Sequence, residues 1–198
     1  MTDLYARIRA AVEPMPFGWE PGPERRAAVL LPIFTLAGEE FVLCTVRHQN
    51  LTQHAGQIAF PGGLDEDDPD PGACALRETH EEVGIEPHAV EILGHLGTRH
   101  SSSGYRVHCI VGRIPPPDAQ RACPREVDRL LLVRAAEILT AERWQEREPA
   151  PRPDGRPIAP SPHYEVGRDV IWGLTGRFLF DLVLALSRGN TKKSAWPP

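Results

Sequence analysis

The chain has 198 residues, enough for one domain with a substantial core, and its 41% hydrophobic and 25% charged content is typical of globular proteins. Its 22 Lys and Arg against 27 Asp and Glu give a formal net charge of −5, which argues against general affinity for nucleic acid or for an anionic membrane surface. No apolar run reaches bilayer-spanning length, and the first residues lack the apolar core of a secretory signal.

In chain order, MTDLYARIRAAVEP reads as a short amphipathic helix. AAVLLPIFTL (27–36) and EFVLCTVR (40–47) are β-like runs joined by a short turn, so a hairpin is predicted. After the glycine-led acidic loop PGGLDEDDPDP (61–71), Asp70 and Pro71 signal a helix start and Gly84 a helix stop. VEILGHLGT (90–98) and YRVHCIVGRI (105–114) flank a serine-rich turn, and EVDRLLLV (126–133) precedes a short helix, RAAEILTAERW. A hairpin, HYEVGRDVIWG, leads into WGLTGRFLFDLVLALSRG (172–189), apolar at Leu174, Phe178, Leu182 and Leu186, the spacing of a helix packed on a sheet. Pro-rich stretches at 115–124 and 147–162 read as surface loops. Mixed strands with helices on both sides predict an α/β sandwich. Cys44, Cys74, Cys109 and Cys123 form no CxxC pair and read as small buried hydrophobes in a reducing compartment, with the cytoplasm as the expected location. Lys192 and Lys193 are the only lysines, so any grip on phosphate falls to arginine.

The stretch RETHEEVG (77–84) carries the chemistry. On a helix, Ala73, Leu76, Thr79 and Val83 gather on one side, whereas Glu78 and Glu82 lie about 40° apart on the other with Glu81 at the edge of that arc. The carboxylates are therefore expected on one exposed patch. Like charges at this spacing cost a few tenths of a kcal/mol per pair, partly offset by Arg77 pairing with Glu81 at i+4. A solvated helix face is the competing reading. The preceding loop adds Asp65, Glu66, Asp67, Asp68 and Asp70, which favours a cation site. An EF-hand loop does not fit, because its fifth position would be Pro69 and its sixth Asp70. Hard, oxygen-liking cations such as Mg²⁺ or Mn²⁺ suit such a set.

Gly63, Arg77-Glu78, Glu81-Glu82, Gly84 and Ile85 together resemble the Nudix box of Nudix hydrolases, G-x5-E-x7-R-E-U-x-E-E-x-G-U with U apolar. The early glutamate of that pattern falls on Pro69 here, with Asp68 and Asp70 as candidate substitutes, and Thr79 stands at the first U. Upstream, LCTVRHQNLTQHAGQIAFPGG (43–63) is similar to the signature of the coenzyme A pyrophosphatase branch. Leu43, Thr45, Arg47, Gly56, Phe60, Pro61, Gly62 and Gly63 match it, while Cys44, His48 and Thr52 depart, Thr52 replacing an arginine. Stretches at 103–116, 126–128 and 170–179 also look like this branch, so the resemblance spans about residues 25–186.

The resemblance implies a single Nudix-type α/β/α sandwich with a mixed sheet. It also implies Mg²⁺ or Mn²⁺ held by Glu78 and Glu82, with Glu81 as a third ligand or the base that takes a proton from water. Arg77 would orient the carboxylates, and the Gly63 backbone, lacking a side chain, would approach metal or phosphate closely. Gly62, Gly63 and Arg47 would contact substrate, and Arg47 is the best candidate for the 3′-phosphate of coenzyme A. The implied reaction hydrolyses coenzyme A to 3′,5′-ADP and 4′-phosphopantetheine. A different nucleoside diphosphate, such as ADP-ribose or a dinucleotide, is the alternative, and a non-catalytic Nudix-fold binding module is a third reading that the intact carboxylates disfavour. His54, His100, His108 and His163 show no metal-ligand spacing and read as surface or core residues. SSSGY (101–105) reads as a turn or a phosphate-binding backbone, and Glu165 as a candidate base from a late loop.

Overall fold

The computed structural model describes residues 3–15, 18–51, 54–148 and 160–187. Much of the second Pro-rich stretch, Thr52 and both lysines lie outside the described residues.

Helix α1 (Leu4–Ala11) starts at Asp3, whose side chain accepts from the Tyr5 amide. The predicted hairpin forms as β1 (Arg26–Leu36) and β2 (Glu39–Arg47), but the two strands pair only where they leave the turn, from Ile33↔Val42 to Leu36↔Glu39. Beyond that point they part, and two short strands fill the opening. β3 (Ile58–Ala59) pairs with β2, and β4 (Gly62–Leu64) pairs with β1 at Ala27, Ala28 and Val29. The glycine loop is thereby inserted into the middle of the sheet. After helix α2 (Pro71–Val83), β5 (Glu91–His100) and β6 (Arg106–Arg113) extend the sheet on the other side, with β6 parallel to β1. β7 (Val127–Arg134) closes the β2 edge antiparallel, so the sheet is mixed, as expected.

Alternation along the strands serves two cores. Leu31, Ile33, Val42, Cys44, Val46, Cys109 and Val111 pack under Ile8 of α1 and the terminal helix α4 (Gly173–Ser187). Phe178, Leu179, Leu182 and Val183 are the buried stripe of α4. Ala28, Leu30, Phe34, Leu43 and Ile110 face the opposite way, against Cys74, Ala75 and Val83 of α2. The short helix α3 (Ala135–Ile138) follows β7, and a small sheet of β8 (Gln145–Arg147), β9 (Ser161–Val166) and β10 (Asp169–Ile171) precedes α4. The cysteines are free thiols, with Cys44, Cys74 and Cys109 buried.

α2 starts and stops as its sequence signals: the Asp70 carboxylate accepts from the Ala73 amide at 2.9 Å, and Gly84 takes φ 68° while its N–H bonds His80 O. Which face is buried differs from expectation. Cys74, Ala75, Thr79, Glu82 and Val83 are buried, while Ala73 and Leu76 are only partly so. Gly72, Cys74 and Ala75 are small, so the helix settles onto β1 and β4 on their side, and Glu82 is carried beneath it. The carboxylates therefore do not form one exposed patch.

Candidate active site

The site is built where β4 passes under α2. Gly62 lies against the β1 backbone so tightly that a Cβ there would stand 2.4 Å from Ala28 O. At Gly63 the neighbour is instead the Glu78 carboxyl group, whose Cδ would lie 2.4 Å from an added Cβ. The two glycines thus do different work: one lets a strand insert, the other lets a carboxylate lie on the backbone.

Glu82 is 4% exposed. Burial pushes its carboxyl up to about 8, and the nearby Glu78 and Glu126 carboxylates push the same way, while Arg47 and the Gly62 N–H oppose them. Glu78 is also raised, first by burial, with Arg77 opposing. Arg77 is the hub of the site. Its Nη1 donates to Glu78 Oε1 at 2.8 Å, and its Nη2 to Leu64 O at 2.8 Å. Nε and Nη2 grip both oxygens of Asp68, at 3.2 and 3.0 Å. Glu81 is reached more loosely, at 3.3 Å, and its side chain is 56% exposed. The Arg77 hydrogen bonds hold the Asp68 carboxyl below its usual range.

Of the two substitutes for the glutamate missing at position 69, Asp68 holds Arg77 and Asp70 caps α2. Arg47 ends β2, and its charge is near enough to Glu82 to oppose the rise of that carboxyl. Glu126 was not singled out from the sequence, although the EVD stretch was. Its backbone carbonyl accepts from His48 N at 2.8 Å, and its carboxylate is close enough to raise Glu82. Glu165 is on β9 and pairs with Arg147 of β8, so its ion-pair partner is outside the α2 cluster. Ser101 to Tyr105 form the turn between β5 and β6, with Ser101 N bonded to Tyr105 O. His54 meets Gln57, His100 lies 3.7 Å from Glu24, and His163 stacks on Trp172. His108 is fully buried beside His95, their ring nitrogens 3.3 Å apart. An open cleft of about 560 Å³ is lined by Glu13, Glu20, His95, Gly97, Thr98, His100 and Arg106, none of them an α2 carboxylate.

The donor set fits a hard divalent cation. Two desolvated carboxyl groups with raised proton affinity lie together over a backbone stripped of side chains, which is a deficit of positive charge. Among the described residues no three His, Cys, Asp or Glu side chains are gathered tightly enough to enclose an ion alone. Mg²⁺ needs no such cage, because it keeps several waters and binds through one or two carboxylates and substrate phosphate oxygens. Glu78 and Glu82 are the residues that would hold it.

The NUDIX domain family model matches residues 24–153. The uncharacterized Nudix hydrolase NudL of Shigella flexneri is 39% identical over 168 residues, covering 84% of this chain and 85% of that protein. NudL of Escherichia coli K12 is 39% identical over 163 residues, covering 82% of this chain and 83% of its own. Among solved structures, the MutT protein of Methanosarcina mazei superposes with a TM-score of 0.50 at 18% identity, over 88% of this chain and all of that one. A MutT/nudix family protein of Enterococcus faecalis gives 0.51 at 14% identity, over 86% of this chain and 63% of that one. The chain belongs to the Nudix family, and it is a Nudix hydrolase, an enzyme acting on nucleoside diphosphate derivatives. No helix among the described residues is long and apolar enough to cross a membrane.

Proposed function

We propose that this enzyme is a cytoplasmic, single-domain hydrolase that cleaves the diphosphate bond of coenzyme A, giving 3′,5′-ADP and 4′-phosphopantetheine. The coenzyme A substrate rests on the stretch 43–63, similar to the coenzyme A branch signature, and the diphosphate chemistry on its Arg47. The charge of Arg47 is near enough to Glu82 to oppose the rise of that carboxyl. A guanidinium there can hold a diphosphate oxygen with paired N–H groups.

A Mg²⁺ or Mn²⁺ ion held by Glu78 and Glu82 would neutralise phosphate charge and lower the pKa of a water. The chain's own residues supply the rest. Arg77 fixes the Glu78 carboxylate, and Gly63 lets that carboxylate lie against the β4 backbone. Glu81, the most exposed of the three glutamates and only loosely held by Arg77, takes the proton as a water oxygen bonds to phosphorus and the bridging P–O bond breaks. Arg47 stabilises the charge that develops on the phosphoryl oxygens.

The test is to incubate the enzyme and Mg²⁺ with coenzyme A, ADP-ribose, NADH and diadenosine polyphosphates in parallel and to identify the products. Coenzyme A is expected to turn over fastest, with EDTA abolishing the reaction and Mg²⁺ or Mn²⁺ restoring it. Faster cleavage of ADP-ribose or a dinucleotide would move the enzyme to the broader nucleoside diphosphate class.

A further inference from the structure

The segment between α1 and β1 plays no part in the chemistry above, yet it grips the loop that carries it. The Trp19 indole N–H donates to the Asp68 carbonyl oxygen at 2.8 Å. The Arg26 guanidinium covers the same ring, with Cζ 4.9 Å from the centroid, and pairs with Asp65. The ring edge meets His108 of β6, centroid to centroid 5.3 Å. Met15 reaches the first turn of α2, where a Cβ on Gly72 would stand 3.0 Å from Met15 Cε.

Asp68 is thus held at several points. Trp19 takes its carbonyl, its own amide donates to Asp65 Oδ1 at 2.9 Å, and both carboxylate oxygens face the Arg77 fork. Two parallel N–H···O bonds orient as well as attract. An aspartate is one methylene shorter than a glutamate, so its backbone has to come closer to Arg77 for the fork to close. Asp67, at φ 67°, turns the chain toward the helix, and the Trp19 bond holds it there.

We propose that Trp19 and Asp68 form a brace that positions the metal-binding carboxylates, acting through Arg77 on Glu78. The inference rests on the reading of Glu78 and Glu82 as metal ligands. Both brace residues are positioning residues and touch neither substrate nor ion.

The experiment measures Mn²⁺ affinity by isothermal titration calorimetry, independent of turnover, together with kcat, KM and thermal stability. Asp68→Asn keeps the shape but loses the charge, and should weaken Mn²⁺ binding and lower kcat by roughly ten- to a hundred-fold, the scale of a charged hydrogen bond. KM for the diphosphate substrate at saturating Mn²⁺ should change little, and Asp68→Glu should recover most of the loss. Trp19→Phe keeps a ring beneath Arg26 but removes the donor. It should weaken Mn²⁺ binding a few-fold, and the double variant should be no weaker than Asp68→Asn alone, because both act through one contact. Asp70→Ala removes only the helix cap, and should lower stability while leaving Mn²⁺ affinity unchanged. The brace is refuted if Asp68→Asn and Trp19→Phe, both folded, bind Mn²⁺ like the wild type, or if Asp70→Ala weakens binding equally. A wild-type chain that binds no Mn²⁺, with Glu82→Gln changing nothing, would instead overturn the metal reading itself.

Discussion

Burial of Glu82, a proposed metal ligand, makes stability depend on pH. The residue is 4% exposed, and burial raises its carboxyl from 4.5 to about 8. A group whose folded pKa lies above its unfolded value keeps its proton in the fold while the unfolded chain releases it. Stability is therefore full below pH 4.5 and lost progressively as pH rises toward 8. At pH 7 the interval above 4.5 is about 2.5 pH units at about 1.4 kcal/mol each, or about 3 kcal/mol. Glu82→Gln has nearly the same shape but no charge to desolvate. In EDTA at pH 7 it should be more stable than the wild type by about 3 kcal/mol, or about 6–12 °C in Tm for a chain of this size. Urea unfolding at pH 5, 6, 7 and 8 should show a falling stability for the wild type and a flatter line for the variant. Saturating Mg²⁺ should narrow the gap by stabilising only the wild type. Turnover of the variant should fall by orders of magnitude. A variant no more stable than the wild type in EDTA, or one with the same pH slope, would refute the burial of this carboxyl.

Gly63→Ala places a Cβ against the movable end of Glu78 and should cost activity more than stability, whereas Gly62→Ala meets the fixed β1 backbone and should impair folding, as circular dichroism and melting would show. Arg47→Ala, beside Glu82, should lower kcat/KM on coenzyme A and its 3′-dephospho form alike, by roughly ten- to a hundred-fold; a loss confined to coenzyme A would return Arg47 to the 3′-phosphate. His108 is lowered to about 4 from 6.5 by burial, with His95, Arg106 and Arg26 adding to this and Glu20 opposing. Its contribution to stability is full above pH 6.5 and is lost as pH falls toward 4, by up to about 3 kcal/mol. Melting curves of His108→Gln should be flatter than wild type over that window, and equal slopes would refute the burial of a neutral imidazole.

The sequence determined the long strands, the main helices and the identity of the acidic helix by itself, whereas the short strands β3, β4 and β8 form only by pairing with other strands. Asp70 and Pro71 start α2 and Gly84 stops it through local hydrogen bonds and backbone freedom, which need no tertiary partner. The mixed sheet under helices was legible because alternation and helical periodicity record which side of each element is buried. Tertiary structure decided what each acidic residue does. Periodicity placed Glu82 on a polar arc, but the small side chains of Gly72, Cys74 and Ala75 let the sheet close over that arc and buried the carboxylate. Asp68 and Asp70 were equivalent as letters two residues apart. Only the turn at Asp67 and the bond from Trp19, 49 residues upstream, aimed one at Arg77 and left the other to cap the helix. The His95–His108 pair has the same origin, since their contact depends on the register of β5 and β6. Local chemistry is written in neighbouring residues, whereas charge burial depends on which distant segments arrive to exclude water.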